Sequence, residues 1–316
     1  MRIILIGQAP FGAKTLEALL QSGEEVIAVY APADKQGAKP DPLKEAALKR
    51  GIKLFQPPKF KDDKVFEEFA GLRADLVVMA FVTDLIPARY FKAAVHGAIC
   101  YHPSILPRHR GAGAINWALI MGDTRTGLSI FWPDAGIDTG PILLQKEIEI
   151  RPDDTAGSLY FDRLFPMGVD AIVESVKLIA EDKAPKLVQD NSKATYEPPC
   201  NDLVAGIDWD KSGLEIYNLI RGCDPQPGAY AGFRGEKVRF YGAGFKSNQG
   251  TAAAAGTVIG IEEKGILVAV PGGELLVTRV RPASAGKMEA VEWAASAKVE
   301  PGDRFTGRQL RVNSEP

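Results

Sequence analysis

The first part of the chain alternates short, uninterrupted apolar runs with segments of helical spacing. Apolar runs of this length, bounded by Gly, Pro or polar residues, are typical of buried strands. The predicted strands are Arg2–Gly7, Glu25–Tyr30, Ile52–Phe55, Asp75–Phe81 and Ala98–Tyr101. The predicted helices are Thr15–Gln21, Pro40–Arg50, opened by Asp41-Pro42, and Asp62–Phe69. Strands that are apolar on both faces, alternating with helices, predict an α/β fold whose parallel sheet is covered by helices on both sides.

The pattern changes in the middle of the chain. A helix near Ala114–Met121, strands over Gly127–Trp132 and Pro141–Ile150, and long helical periodicity over Ser158–Glu181 are predicted in that order. The stretch Ala184–Asn201 is rich in Pro, Lys and polar residues and predicts a linker. We therefore expect one domain over residues 1–200 and a second over residues 201–316.

The second domain is expected to be small and rich in strands. After a helix within Asp208–Arg221 and a turn at Pro225–Gly228, the predicted strands are Lys237–Tyr241, Gly256–Ile261, Gly265–Val270 and Glu274–Arg279. Closely spaced strands punctuated by Gly and Pro predict a β-barrel-like domain. The low-complexity stretch Gly250–Gly256 is expected to be a surface loop.

Composition excludes several classes of function. The 316 residues carry a formal net charge of −2, so no global basic field attracts nucleic acid or an anionic membrane. Cys100, Cys200 and Cys223 are far apart and lack zinc-type spacing, which favours reduced thiols, a cytoplasmic location and no metal. No apolar stretch approaches the roughly 18 residues of a membrane span, and we expect no membrane partner. The apolar run after Met1 is too short for a signal peptide.

Candidate chemistry centres on a histidine and an aspartate. His102 follows the apolar run Ala98–Tyr101, at the carboxyl end of a predicted strand, where open α/β sheets bind ligands. Asp138 lies in a glycine-flanked loop. A carboxylate that orients an imidazole can support proton transfer through a tetrahedral intermediate, as acyl transfer or acyl hydrolysis requires. The alternative is structural: His102 caps the following turn, and Asp138 closes a β-turn with Gly140.

Three segments carry a family resemblance: Tyr101–Gly111 (YHPSILPRHRG), Gly127–Trp132 and Gly136–Gly140 (GIDTG). They resemble the formyltransferase family that uses 10-formyltetrahydrofolate. The likeness runs from Ile6–Gly12 to Ile220–Gly222 and is greatest to the N-terminal hydrolase/formyltransferase domain of 10-formyltetrahydrofolate dehydrogenase. The resemblance implies a Rossmann-like catalytic domain in which His102 is the acid/base and Asp138 its charged partner.

The resemblance also implies where the ligands bind. The pterin would enter a crevice between the loops Phe81–Pro87 and Pro133–Asp138, and its candidate contacts are Phe81, Leu85, Ile86, Pro87, Pro133, Asp134 and Gly136. The candidates on the side of the formyl acceptor are Gln8, Pro10, Phe11 and Ser104. Core packing is the alternative for Phe11, and Ser104 is expected, together with Arg110, to hold its loop. Since Gly7 and Gly12 do not form the GxGxxG fingerprint, no NAD is expected.

Cys100 departs from the family pattern, which has Asn two residues before the histidine. The Asn amide would donate to the developing oxyanion, whereas a thiol is a weak donor. Losing such a donor costs about 2.7–4 kcal/mol of transition-state stabilisation. The dehydrogenase-type domains also lack this Asn, so Cys100 supports that subgroup. A nucleophilic role for Cys100 is disfavoured because it lies in an apolar run.

Four functions remain open on the sequence. The first is removal of the formyl group of 10-formyltetrahydrofolate to water, or to a small amine or carrier-bound acceptor. The others are methionyl-tRNA formyltransferase, amino-sugar N-formyltransferase and a non-catalytic folate-binding or docking module. A tRNA partner is disfavoured because Pro32–Pro42, where the tRNA enzymes carry a basic loop, contains two lysines and no arginine.

Overall fold

The computed structural model describes residues 1–248 and 252–307. The chain forms two compact units and passes between them more than once. The first unit comprises Met1–Gly111, Thr126–Ile148 and Phe161–Glu197. The second comprises Ala112–Arg125, Glu149–Tyr160 and the described residues from Pro198 onwards. Part of the predicted loop Gly250–Gly256 lies outside the described residues, and its remainder, 252–256, consists of bends and turns.

A seven-stranded sheet organises the first unit. Its strands are β1 (Arg2–Gly7), β2 (Glu25–Tyr30), β3 (Lys53–Phe55), β4 (Leu76–Ala80), β5 (Ala98–His102), β6 (Arg125–Phe131) and β7 (Ile142–Glu149). They lie in the order β3-β2-β1-β4-β5-β6-β7. The first five pair in parallel, as predicted, and β6, for which no direction was predicted, runs antiparallel to β5. The connection from β5 to β6 contains a helix. The length of this connection allows β6 to pair with β5 in either direction, so the direction cannot be predicted from the length.

Both faces of this sheet are buried. Along β1, Ile3 and Leu5 belong to one apolar cluster, and Ile4 and Ile6 belong to another. Because successive strand side chains point to opposite faces, a continuous apolar run is what a strand covered on both sides requires. The sequence pattern of β1 thus reflects the two layers that cover it.

The helices of the chain vary in how closely they match the prediction. They are α1 (Ala9–Gln21), α2 (Pro42–Lys49), α3 (Asp63–Gly71), α4 (Ala88–Phe91), α5 (Ala114–Ile120), α6 (Ala156–Ser158), α7 (Phe165–Ala180), α8 (Gly213–Gly222) and α9 (Ala290–Ser296). Asp41 is the N-cap of α2, with Pro42 in the first turn, as predicted. The same carboxylate accepts a hydrogen bond from the backbone N–H of Ala9 at 2.9 Å. This bond between distant residues helps α1 begin six positions before the predicted Thr15.

The periodic stretch Ser158–Glu181 is not one helix. A π-helical segment, Leu159–Leu164, separates α6 from α7. Pro166 lies in the first turn of α7, where its missing N–H costs no intrahelical hydrogen bond. The apolar periodicity therefore continues across a change in helix type.

The second unit contains an antiparallel sheet. Its strands are β8 (Ala229–Phe233), β9 (Glu236–Ser247), β10 (Val258–Glu262), β11 (Gly265–Val270), β12 (Gly273–Pro282) and β13 (Met288–Glu289). Their order is β10-β11-β12-β9-β8, and β13 pairs with β12. Bridges from Thr306 to Gly232 and from Arg304 to Thr257 connect one segment to both ends of this order. This arrangement agrees with the barrel-like expectation.

Within residues 1–248 and 252–307, no helix has the length and apolar character needed to span a membrane.

Replacing Leu5 tests the two-sided packing of the central strand. Leu5 is fully buried in β1, so Leu5→Ala is expected to lower the free energy of unfolding by about 2–5 kcal/mol, measured by urea denaturation. The control is Lys14→Ala on the exposed side of α1, with an expected change below about 0.5 kcal/mol. Similar losses in both variants would contradict the assignment of Leu5 to the core.

Candidate functional site

His102 is the last residue of β5 and is 6% exposed. Its Nε2 lies 2.7 Å from the carbonyl oxygen of His109. Because a carbonyl only accepts hydrogen bonds, this contact assigns a proton to Nε2. Nδ1 lies 3.4 Å from Oδ2 of Asp138, so the predicted pair does meet in space.

Asp138 is held by contacts on both its side chain and its backbone. Its Oδ2 accepts a hydrogen bond from the N–H of Gly111 at 2.8 Å, rather than closing a turn with Gly140. Its φ is +54°, a left-handed conformation that non-glycine residues rarely adopt. The side-chain amide of Gln189 donates to the carbonyl oxygens of Asp138 and Gly140, at 2.9 and 2.7 Å. These bonds fix the direction from which the carboxylate approaches His102.

Cys100 lies on the same face of β5 as His102, two residues before it. Its half-buried side chain packs against Leu106, Phe131 and Ile142. Burial raises the pKa of the Cys100 thiol, and the negative charge of Asp138 raises it further. The thiol is therefore close enough to Asp138 to experience its charge, but remains protonated near neutral pH.

The stretch predicted as a linker, Ala184–Asn201, has a structural role at this site. Its residues 187–197 form what we call the strap. Leu187 pairs with Ile142 through two backbone hydrogen bonds, and Thr195 exchanges backbone hydrogen bonds with Pro107 and Arg110. The strap therefore contacts the loop that follows His102 and the first residue of β7, just after the loop that carries Asp138.

Arg110 is the main side chain through which the strap is attached. It is 3% exposed, and its guanidinium donates to Gln189 Oε1, Asn191 Oδ1 and the Tyr196 hydroxyl. This agrees with the expectation that Arg110 holds its loop. Gln189, Asn191 and Tyr196 were not identified from the sequence, because their partners lie far away in the chain and the strap has no periodic pattern.

The pterin candidates lie on two loops that follow the neighbours of β5. Phe81 and Leu85, after β4, expose 43% and 81% of their surface, whereas Ile86 is buried in an apolar cluster. Pro87 is the N-cap residue of α4. In the loop after β6, Asp134 and Gly136 are exposed and Pro133 is half-buried. β4 runs parallel to β5, so the loop after β4 starts at the end of β5 that carries His102. β6 runs antiparallel to β5, so the loop after β6 starts beside the other end of β5, and Asp138 returns to within 3.4 Å of His102.

The acceptor-side candidates occupy different environments. The Gln8 amide donates to the Thr83 hydroxyl at 3.2 Å, and Pro10 is exposed. Phe11 is fully buried, with its ring 4.4 Å from that of Tyr101, which places it in the core. The Ser104 hydroxyl is buried and donates to the Arg108 carbonyl at 2.7 Å, a contact that holds the loop. Gln8 and Pro10 are thus the acceptor-side candidates that reach the surface.

Among residues 1–248 and 252–307, His, Cys, Asp and Glu side chains form no group of three that could hold a metal ion.

The chain matches known families over most of its length. Residues 1–176 match the family described as formyl transferase, and residues 204–298 match formyl transferase, C-terminal domain. The mitochondrial 10-formyltetrahydrofolate dehydrogenase of Mus musculus is 39% identical over 99% of this chain and 35% of that protein. The methionyl-tRNA formyltransferase of Acetivibrio thermocellus is 34% identical over 96% of this chain and 99% of that protein. The chain spans about a third of the length of the dehydrogenases it matches.

Solved structures show the same fold at low identity. An N-formyltransferase from Helicobacter canadensis, in complex with folinic acid and dTDP-3-aminofucose, superposes with a TM-score of 0.68 and 18% identity, over 88% of this chain and 98% of that one. HypX from Aquifex aeolicus, in complex with tetrahydrofolic acid, has a TM-score of 0.66 and 16% identity, over 98% of this chain and 51% of that one.

The thiols are expected to react at different rates. Burial raises the pKa of Cys100, whereas a hydrogen bond with the thiol of Cys223, at 3.7 Å between sulfurs, lowers the pKa of Cys200. Since the thiolate is the nucleophile, iodoacetamide near neutral pH should modify Cys200 well before Cys100, as measured by peptide mass spectrometry. Reaction at Cys100 should accelerate only as the pH rises towards its raised pKa. In the unfolded protein the difference should disappear, and faster modification of Cys100 in the native protein would contradict its burial.

Proposed function

The chain belongs to the formyl transferase family, and from that premise we propose that it removes the formyl group of 10-formyltetrahydrofolate and passes it to water. His102 and Asp138 are the acid–base pair of this proposal. The observation that carries it is the pair itself: Nδ1 of His102 faces Oδ2 of Asp138 at 3.4 Å, at the carboxyl end of β5, and Asp138 belongs to one of the two candidate folate loops. The 39% identity to a 10-formyltetrahydrofolate dehydrogenase supports this choice of formyl donor.

The hydrogen bonding of His102 supports one direction for the proton transfers of this proposal. Nε2 of His102 already donates to the His109 carbonyl, so Nδ1 is the nitrogen left to exchange protons. The carboxylate of Asp138 keeps 19% of its surface exposed, which leaves it accessible to water. Water at this position transfers a proton to Nδ1 while its oxygen bonds to the formyl carbon. The intermediate collapses when the bond from carbon to the folate nitrogen breaks, and Nδ1 returns the proton to that nitrogen. The products are tetrahydrofolate and formic acid, which keeps the second proton of the water and releases it to solvent as it ionises to formate.

The two candidate folate loops suit a flat, partly polar ring. Phe81 and Leu85 provide exposed apolar surface on one side, and Ile137 is 56% exposed on the other. Pockets for such ligands combine apolar walls with a few polar groups from the backbone or side chains. These residues are the ones we propose contact the pterin.

Transfer to an initiator tRNA is the second candidate. The match to methionyl-tRNA formyltransferase covers nearly all of both chains, which favours it. Against it, the segment 32–42 contains Asp34, which pairs with Lys44, and few basic side chains for phosphate contacts. Incubation with 10-formyltetrahydrofolate alone, with small amines, and with methionyl-tRNA separates the acceptors. Formation of tetrahydrofolate without any added acceptor supports hydrolysis, whereas strict dependence on an amine or on the tRNA overturns water as the acceptor.

The role of Asp138 is tested by Asp138→Asn. The amide oxygen can still accept from the Gly111 N–H, and Asn tolerates the left-handed backbone, so the loop should be preserved while the anion is lost. Deformylation, followed as formation of tetrahydrofolate by absorbance, is expected to fall by about 10²–10⁴-fold.

A matched control makes this result specific. Asp182 is exposed and has nearly the same backbone conformation, with φ +53° against +54° for Asp138. Asp182→Asn should leave turnover unchanged. Full activity in Asp138→Asn would remove the carboxylate from the mechanism.

The role of position 100 is tested by comparing Cys100→Asn with Cys100→Leu. An Asn amide on the face of β5 that carries His102 would supply the missing donor to the oxyanion, whereas Leu supplies none. Deformylation by the Asn variant is expected to exceed that by the Leu variant by about 10²-fold. Thermal unfolding of both variants controls for repacking against Leu106 and Phe131. Equal rates in two folded variants would show that this position does not contact the oxyanion.

A further inference from the structure

The three residues His109-Arg110-Gly111 contact both members of the candidate pair. The carbonyl oxygen of His109 accepts the hydrogen bond from Nε2 of His102, and the N–H of Gly111 donates to Oδ2 of Asp138. His109 and Gly111 both have a left-handed backbone, with φ of +55° and +89°. The orientation of this short segment therefore determines how the imidazole and the carboxylate face each other.

The strap holds His109 in that conformation. The N–H of His109 donates to Oγ1 of Thr195 at 2.8 Å, and its Nδ1 lies 3.2 Å from Oε1 of Glu197. His109 is 2% exposed, and the Glu197 side chain is 11% exposed. A non-glycine residue with positive φ persists only where its surroundings determine the conformation, and Thr195 and Glu197 provide these surroundings.

We propose that Thr195 and Glu197 are positioning residues for the His102–Asp138 pair. By holding His109, they keep its carbonyl oxygen in hydrogen-bonding distance of Nε2 of His102. The proton of the His102 ring then stays on Nε2, and Nδ1 of His102 faces Asp138 unprotonated in the resting site. The kinetic consequence of this inference rests on the proposed function, whereas its structural consequence does not.

The alternative state of the site follows from the chemistry of imidazole. A neutral imidazole carries one proton, and the hydrogen bond made by one nitrogen determines the state of the other. If the His109 carbonyl moves away, Asp138 becomes the remaining acceptor near the ring, and the proton moves to Nδ1. In that tautomer Nδ1 no longer accepts a proton from water, so the pair is present but inactive as a base.

The tautomer is measured directly by imidazole-nitrogen NMR on protein labelled with isotopic nitrogen in histidine. The chain has three histidines, and the His96→Gln and His109→Gln variants assign the signals. At a pH where His102 is neutral, the wild-type protein should show a protonated Nε2 and an unprotonated Nδ1. Glu197→Ala should shift His102 towards the Nδ1-protonated form, and Glu197→Gln, which keeps a side chain of the same size and an oxygen beside the His109 ring, should restore the wild-type signal.

Two further variants keep the result interpretable. Thr195→Val removes the acceptor for the His109 N–H while keeping the side-chain shape, and it serves if Glu197→Ala does not fold. Glu263→Ala, at an exposed turn between β10 and β11, is the control and should leave the His102 signal unchanged. An unchanged tautomer in the folded Glu197→Ala and Thr195→Val variants would overturn the proposal.

Kinetics supply the second readout. Both positioning variants are expected to lower kcat for deformylation by roughly 10–100-fold, because a small displacement of a catalytic group has effects of this size. The KM for 10-formyltetrahydrofolate should stay within about twofold, since neither residue lies on the candidate folate loops. Absence of wild-type deformylation would refute the proposed function, while the NMR result would still decide the positioning role. A normal kcat together with an altered tautomer would show that the tautomer does not limit catalysis.

Discussion

One hydrogen bond, from Nε2 of His102 to the carbonyl oxygen of His109, constrains the chemistry of the whole site. Nε2 of His102 donates to the backbone through this bond, and Nδ1 of the same ring faces Asp138. The acceptor belongs to a residue in a left-handed conformation, so the bond depends on whatever holds that residue. The sheet positions the histidine, but loops and the strap determine which of its nitrogens is available. A rigid scaffold with functional detail in loops is common among enzymes, and here the loop contacts act through the protonation state of one ring.

Much of the first sheet could be predicted from the chain, because its physical signal is local. A strand buried on both faces must be apolar throughout, as β1 is, and a histidine at the end of such a run must lie at the edge where parallel strands finish. The N-cap Asp41 was also predictable, since capping depends on neighbouring residues. Asp138 was found through its glycine-flanked loop and the family resemblance, and the structure brings it to His102.

The remaining features depend on contacts between residues far apart in the chain. The antiparallel direction of β6 cannot be predicted from its sequence, because a short apolar run has the same pattern in a parallel and in an antiparallel strand. The early start of α1 depends on a carboxylate thirty-two residues away. The strap was interpreted as a linker because it is rich in proline and polar residues, and that composition is typical of linkers. Its role comes from three side chains. Gln189 binds backbone carbonyls of the Asp138 loop, Thr195 accepts from the His109 N–H, and Glu197 lies beside the His109 ring. No periodic pattern in the sequence connects the strap to these loops.

The reversal of direction at β6 has a consequence for how this site can vary. Trp132 and Pro141 pair at the base of the loop that carries Asp138, so this loop is a closed hairpin between β6 and β7. His102 lies opposite Ser129 of β6 in the sheet. After Ser129 the chain runs away from His102 to the end of β6, and the hairpin loop must then turn back to bring the Asp138 carboxylate to the imidazole. The reach of Asp138 is therefore set by the length of the hairpin rather than by strand register. Substitutions at its exposed tip alter the surface offered to a ligand, whereas insertion or deletion of one residue moves the carboxylate off the imidazole. At an exposed position of this hairpin such as Ile137 the side chain can diverge, whereas Asp138 and the length of the hairpin cannot.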